Sequence, residues 1–252
     1  MSSNFGRITT NGKALFLAYD HGLEHGPEDF GYTGQAIDPG FVLQIAKKGG
    51  YNGVILQKGI VEKYFNRKKY PGLPLIVKLN GKTKLIGGDP VSSVICSVKE
   101  AKKLGAKAVG YTIYPGSKHE SMMLAEFGQI VREAHRLGLP TIAWVYPRGK
   151  KIKNENSPKT IEYAARIGLE LGADIVKIKW PGSKKAMERA VRAAGRAKVM
   201  LAGGPKTDEK GFLKMAREAM ATGVMGMVVG RNIWQNKKPL EITEKIKKIV
   251  FK

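Results

Sequence analysis

Two lysines, two residues apart in an apolar run, carry the most chemistry in this sequence. They are Lys177 and Lys179 of Ala-Asp-Ile-Val-Lys-Ile-Lys-Trp (173–180), which follows a helix-ending Leu-Gly. A run of this kind predicts a strand buried on both faces, as in a parallel sheet. Lysine is rarely buried in full, because stripping water from an ammonium is costly unless the group is paired or neutral. Residues i and i+2 of a strand share a face. Two like charges held close in a dry interior lower each other's pKa, giving an amine that is nucleophilic near neutral pH and capable of Schiff-base chemistry. The alternative is that both lie at the strand end and reach water past their apolar stems.

Other polar groups gather at a few places. Ala-Tyr-Asp-His-Gly (18–22) runs into Leu-Glu-His-Gly-Pro-Glu-Asp (23–29), dense in acids and imidazoles where a loop would simply turn. Lys-Leu-Asn-Gly (78–81) and Trp-Val-Tyr-Pro-Arg-Gly (144–149) follow, with Trp144 and Tyr146 on one face by alternation. Trp144 also suits core filling, whereas a phenol inside a fold needs a partner for its hydroxyl. His21 and His25 are four apart, but the segment reads as a glycine-bounded loop without a zinc motif, so hydrogen bonding is expected and no metal. Asp20 is the stronger functional candidate of the acids; Asp29 also suits an ordinary turn. Ala-Gly-Gly-Pro-Lys (202–206) and Val-Gly-Arg-Asn (229–232) bring backbone N–H groups and one guanidinium, the donors a phosphate needs.

What must position these residues is a repeated unit. Strands are predicted at Ala14–Asp20, Gly53–Gln57, Leu75–Leu79, Ala108–Tyr114, Thr141–Tyr146, Asp174–Trp180, Lys198–Gly203 and Gly226–Gly230. Helices fit around Pro39–Lys48, Pro90–Leu104, Ser121–Leu137, Pro158–Leu171, Lys184–Ala194, Lys210–Ala221 and Leu240–Val250, with Ser157 as the cap ahead of Pro158. Tyr64–Gly72 reads as a basic loop. Gly105, Gly172 and Gly223 each stand between a helix end and a strand start, where a left-handed residue stops a helix. Eight such repeats in 252 residues predict a single-domain (β/α)₈ barrel, with chemistry at the C-terminal strand ends and phosphate at the loops after strands seven and eight. A doubly wound sheet is the competing architecture, but its glycine-rich turn follows the first strand.

Composition narrows the classes. Apolar content of 42% and charged content of 26% suit a globular protein with a large core. No apolar run is long enough to span a membrane, and Met-Ser-Ser-Asn-Phe-Gly-Arg carries no secretory leader, so a cytoplasmic protein is expected. The single cysteine, Cys96, rules out an intramolecular disulfide and is expected on a helix face. Lys and Arg number 44 against 21 acids, a formal charge of +23. The lysine pairs 47–48, 102–103, 184–185 and 247–248 fall on solvent faces of amphipathic segments, as in heat-adapted proteins, and no aromatics interleave them. A nucleic-acid surface is therefore not expected.

Taken in order, Ala-Tyr-Asp-His-Gly-x-Glu-His-Gly-Pro, Gly-Tyr-Thr-Ile-Tyr-Pro-Gly-Ser, Trp-x-Tyr-Pro-Arg-Gly, Val-Lys-Ile-Lys, Gly-Gly-Pro-Lys-Thr and Val-Gly-Arg-Asn-Ile-Trp-Gln resemble the archaeal-type class I fructose-bisphosphate aldolases. The matches run from Leu15 to Gln235. The resemblance implies a Schiff-base barrel enzyme without metal or cofactor. It would interconvert fructose 1,6-bisphosphate with dihydroxyacetone phosphate and glyceraldehyde 3-phosphate, as a homo-oligomer, often a decamer in the family.

Carried over residue by residue, Lys177 matches the imine lysine and Tyr146 the proton donor and acceptor. Asp20 would orient or deprotonate the C4 hydroxyl. His21, His25, Asp29, Trp144 and Arg148 fall on substrate-pocket positions, with Lys179 beside the nucleophile and lowering its basicity. Ala202, Gly203, Gly204, Gly230 and Arg231 match the phosphate grip. Two departures stand out: Trp180-Pro181-Gly182 replaces the common Tyr-Thr-Gly, and Ala202 stands where a serine often helps hold phosphate. Two rivals are a transaldolase-like enzyme of the same wider family and a polyanion binder on an inactive barrel.

Overall fold

The structure, a computed structural model, describes residues 5–30 and 34–252. Residues 1–4, on which most of the leader reading rests, and 31–33 lie outside the described residues. Eight parallel strands pair side by side: β1 (Ala14–Tyr19), β2 (Gly53–Gln57), β3 (Leu75–Lys78), β4 (Ala108–Ile113), β5 (Thr141–Val145), β6 (Ile175–Ile178), β7 (Lys198–Ala202) and β8 (Gly226–Val229). The last closes on the first, in register from Ala14 opposite Gly226 to Leu17 opposite Val229.

The uniformly apolar strands follow from this closure, because each has two buried faces. Phe16, Ile55, Ile76, Ile142, Trp144, Ile175, Met200 and Val228 fill the barrel, with Ile8 joining them. Their alternate neighbours, such as Leu15, Leu17, Val54 and Leu56, pack outward in the larger cluster that the helices cover. The helices are α1 (Pro39–Lys48), α2 (Lys58–Tyr64), α3 (Val98–Lys103), α4 (Glu120–Arg136), α5 (Pro158–Glu170), α6 (Lys184–Ala193), α7 (Glu209–Met220) and α8 (Pro239–Val250). Ser157 caps α5 by accepting from the Thr160 N–H at 3.2 Å. Gly105, Gly172 and Gly223 take φ of +90°, +79° and +88°, the left-handed stops expected of them. Among the described residues no helix is long and apolar enough to cross a membrane.

Three expectations need correction. The predicted helix from Pro90 begins only at Val98. Asn80 holds the preceding chain instead: its amide donates to the carbonyls of Ser92 (3.0 Å) and Thr112 (2.8 Å), and Asn80–Gly81 pairs antiparallel with Ser93–Val94. Ser97 then starts α3 through a reciprocal capping box with Glu100. Cys96 accordingly lies in a bend ahead of the helix rather than on it, buried as a small apolar group. The loop read over Tyr64–Gly72, by contrast, is found as such beyond Tyr64, the last residue of α2. Finally, every hydrogen-bonded strand except β2, which keeps its predicted bounds, stops one or two residues short of the predicted end, so that Asp20, Tyr146 and Lys179 lie just beyond them. Those short overhangs rim the barrel mouth.

Candidate active site

A cavity of about 450 Å³ opens at the C-terminal strand ends, lined by side chains from β1, β3, β5 and β6 and by the loops after β7 and β8. Lys177 projects from β6 into it and is only 6% exposed. Its Nζ lies 5.1 Å from the Trp144 ring centroid and 5.9 Å from that of Tyr146. Trp144 is thus both core filler and pocket wall. It lies over Gly110 of β4, where a β-carbon would come within 1.5 Å of the indole. Burial pulls the Lys177 pKa down to about 8; Lys78 pushes the same way, while Asp20 and Glu24 oppose. About a tenth of the amine is then neutral at pH 7, against well under a thousandth for an ordinary lysine.

The like charge that matters to Lys177 is Lys78, not Lys179. Lys179 shares the strand face but sits beyond its end, where its ammonium bonds Glu155 Oε1 at 2.5 Å. Lys78 is 3% exposed, and its Nζ lies 3.3 Å from Asp20 Oδ2 and 3.6 Å from Glu24 Oε2. Three residues absent from the sequence-based site, Lys78, Glu24 and Glu155, therefore organise it. For Lys78 the signal was available: a lysine in an all-apolar strand, the same clue that singled out Lys177. Glu155 carried none, since it comes from the long loop after β5.

The carboxylates are held ionised. Burial alone would raise the Asp20 pKa, but Lys78 above all, with Lys177, brings it well below the usual carboxylate range. Glu24 is also buried yet lowered, by Lys78, a 2.7 Å bond from the Tyr114 hydroxyl, and Arg148. Glu155 accepts from Arg148 Nε at 2.7 Å as well as from Lys179, which outweighs its own partial burial. Tyr146 goes the other way: burial, then Asp20 and Glu24, push its pKa well above the ordinary phenol value. Tyr146 is therefore a protonated donor at neutral pH.

His25 ends a single helical turn, Gly22–His25, and His21 stands at its N-cap position, so the segment is not the loop expected. Burial takes His21 down to about 4, so it is neutral. Asp29 does not line the cavity. It lies behind it, bonding His25 Nδ1 at 3.0 Å and Arg231 Nη1 at 3.3 Å, because the chain turns outward after Gly26. Ala202, Gly203, Gly204, Gly230 and Arg231 converge on the far side of the cavity, as the phosphate pattern required. Gly203 contributes shape rather than a donor, since its N–H bonds the Val228 carbonyl at 2.7 Å. Asn232 ties the two loops together through the carbonyls of Gly203 and Pro205, both at 2.9 Å. Gly230 opens a helical turn, Arg231–Trp234, whose leading N–H groups have no intrahelical acceptor. The buried Nε of Arg231 has no protein partner. Among the described residues no three His, Cys, Asp or Glu side chains cluster as metal ligands.

A dry, partly neutral amine beside a protonated phenol suits carbon–carbon bond chemistry through a lysine imine, the class of the Schiff-base aldolases. Residues 14–236 match the DeoC/LacD family aldolases. The chain is 47% identical to a class 1 fructose-bisphosphate aldolase of Thermoproteus tenax, covering all of this chain and 95% of that one. It is 43% identical to a class 1 fructose-bisphosphate aldolase of Halobacterium salinarum, over 97% and 92% of the two chains. A solved archaeal fructose-1,6-bisphosphate aldolase, with its catalytic lysine covalently bound to a carbinolamine intermediate, superimposes with a TM-score of 0.94 at 47% identity over 98% of both chains. The chain belongs to the DeoC/LacD aldolase family and, within it, to the class I fructose-bisphosphate aldolases of archaeal type.

Proposed function

We infer that this protein is a class I fructose-bisphosphate aldolase acting through an imine on Lys177. The single observation that carries the reading is Lys177 itself: a desolvated amine at the mouth of a closed barrel, between two aromatic rings and opposite a phosphate-type loop pair. Neutral Lys177 adds to the C2 ketone, forming a C–N bond, and loss of water leaves a protonated imine. Electrons of the C3–C4 bond then flow into that imine as the C4 hydroxyl gives up its proton. This releases glyceraldehyde 3-phosphate and an enamine. Protonation at C3 and hydrolysis return dihydroxyacetone phosphate and the free lysine; synthesis is the reverse.

The assignment of roles rests on geometry. Tyr146, protonated and beside Lys177, supplies the proton that lets hydroxide leave as water and receives it back. Asp20, ionised and ion-paired to Lys78, faces the same space and accepts or orients the C4 hydroxyl. Trp144 walls the nucleophile, and Arg148 and Lys179 lie at the aldehyde end. His21 supports the C1-phosphate side, where Gly204, Gly230 and Arg231 supply donors and Ala202 and Gly203 supply close approach. His25 and Asp29 hold Arg231 in place. We further infer that the whole chain acts as one catalytic domain, in the cytoplasm and as a homo-oligomer, as the family resemblance implies.

Borohydride reduction in the presence of dihydroxyacetone phosphate tests the reading. It should add one ketose-derived mass to the Lys177 peptide, and Lys177→Ala should prevent this. Labelling of Lys179 instead would overturn the assignment. Cleavage of fructose 1,6-bisphosphate in the presence of a chelator separates this enzyme from a transaldolase-like relative.

A further inference from the structure

A second groove, of about 460 Å³, lies at the opposite end of the barrel, where Leu75 and Lys107 lead into β3 and β4. Three cations line it: Arg7 beside the apolar plug formed by Ile8, Arg67 after α2, and Lys107. No acidic residue lines it. Among the described residues none of the three has a carboxylate within ion-pair distance.

What sets the groove apart from the lysine runs on the helix faces is convergence. The run lysines are mostly exposed and spread over separate faces, two of them paired, Lys184 with Glu188 at 3.8 Å and Lys247 with Glu244 at 3.0 Å. The groove cations line one concavity with no acid among them. Lys107 feels the crowding, its pKa lowered first by burial and then by Arg67, Arg7 and Lys102. Arg67 is also held in place by shape. Its guanidinium packs on Gly105, 3.1–3.2 Å from where a β-carbon would be, so a side chain there would push it by a few tenths of an ångström.

A second, independent feature is Tyr70. It lines the same groove, is 1% exposed, and its buried hydroxyl has no hydrogen-bond partner. A buried hydroxyl left without a partner is costly unless something supplies one. The Phe65 ring stacks on Tyr70 with centroids 6.0 Å apart, which fixes the ring's orientation. A phosphate-type oxyanion meets both needs: its oxygens accept from two guanidinium forks and from a hydroxyl, and its charge offsets the repulsion among the cations.

We propose that this groove is a second oxyanion site, separate from the barrel mouth, that takes a phosphate or diphosphate group through Arg7, Arg67, Lys107 and Tyr70. The group could be a free inorganic anion or the end of a larger metabolite, and the titrant separates the two. Inorganic pyrophosphate and adenosine diphosphate binding equally means that only the anion is read. Tighter binding of the nucleotide means that the Phe65–Tyr70 face also contributes. Either result supports the site, and binding of neither overturns it.

Calorimetric titration with inorganic pyrophosphate at physiological salt, where loose surface attraction is screened, gives the decisive comparison. The unmodified protein should bind at two places per chain. Arg67→Ala with Lys107→Ala should weaken one of them at least tenfold and leave the other, whereas Arg231→Ala should do the converse. Lys184→Ala with Lys185→Ala should change neither. A double groove variant that titrates like the unmodified protein overturns the site, as does an equal loss in the Lys184/Lys185 control. Should the double exchange not fold, Tyr70→Phe keeps the ring and should still weaken the groove site at least threefold; unchanged binding there also overturns it. The outcome is independent of the aldolase reading, which borohydride trapping tests at the other end of the barrel.

Discussion

Lys177 and Tyr146 make opposite uses of one dry environment. Burial disfavours whichever form is charged, so it lowers the lysine and raises the phenol. The result is a neutral amine beside a firmly protonated phenol at neutral pH, and the first of these is what water would not allow. Tyr146→Phe should keep the fold and lose roughly 10²–10⁴ in kcat, the range for a general acid–base group. A large fall in melting temperature with near-normal turnover would instead make the tyrosine a packing residue. Lys78 offers a sharper test. It lowers the Lys177 pKa directly and also offsets Asp20 and Glu24, which raise it. In Lys78→Met both effects vanish, so the Lys177 pKa must rise. The acid limb of kcat/KM should then move to higher pH. A limb that stays in place would mean that burial alone sets the nucleophile.

At the scale of elements, the sequence was informative wherever a local rule held and silent wherever tertiary contacts chose. The strand starts were legible because a buried parallel strand must be apolar on both faces, and the glycine stops because only glycine tolerates the φ needed at Gly105, Gly172 and Gly223. The stretch from Pro90 to Cys96 was not, because the groups that hold it extended are the Asn80 amide and the Leu79 carbonyl, distant in sequence. Glu155 was missed for a related reason: nothing in a 12-residue loop rich in lysine and asparagine (146–157) marks the one acid that folds back over Arg148 and Lys179. Asp29 was placed one layer too far forward, behind Arg231 rather than beside substrate. Gly110 tests how elements build the pocket. Its missing side chain lets Trp144 of β5 lie flat over β4, so Gly110→Ala must displace the indole. The cost should be about 1–3 kcal/mol, as for other overpacked cores. Activity should fall as well, because the Lys177 ammonium faces that ring at 5.1 Å. Loss of stability with unchanged kcat/KM would separate the tryptophan from the site.

The whole molecule combines a large positive charge with a site whose carboxylates must stay ionised. At neutral pH the formal charge is +23, and protonating all 21 acids leaves 44 basic side chains unopposed. Acid should therefore destabilise the fold by two routes of different character. General repulsion among surface charges is long-ranged and screened by salt. The ion pairs of Asp20 and Glu24 with Lys78 are buried, and salt reaches them poorly. For these acids the folded pKa lies below the unfolded one. Their contribution is thus fully present above about pH 5, begins to fall at the unfolded values and is lost as the pH falls through the folded ones. At pH 3 each acid has lost only the part lying between its unfolded value and that pH, about 1–2 kcal/mol at about 1.4 kcal/mol per unit, and each kcal/mol is about 2–4 °C in a chain of this size. Melting temperatures at pH 6 and pH 3, in low and moderate salt, read both routes. The unmodified protein should lose at least ~4 °C on acidification even when salt screens its surface. Asp20→Asn, already without the carboxylate, should start lower at pH 6 and lose less. If Asp20→Asn falls by as much as the unmodified protein in moderate salt, acid sensitivity lies in the general charge and the buried network contributes nothing to it.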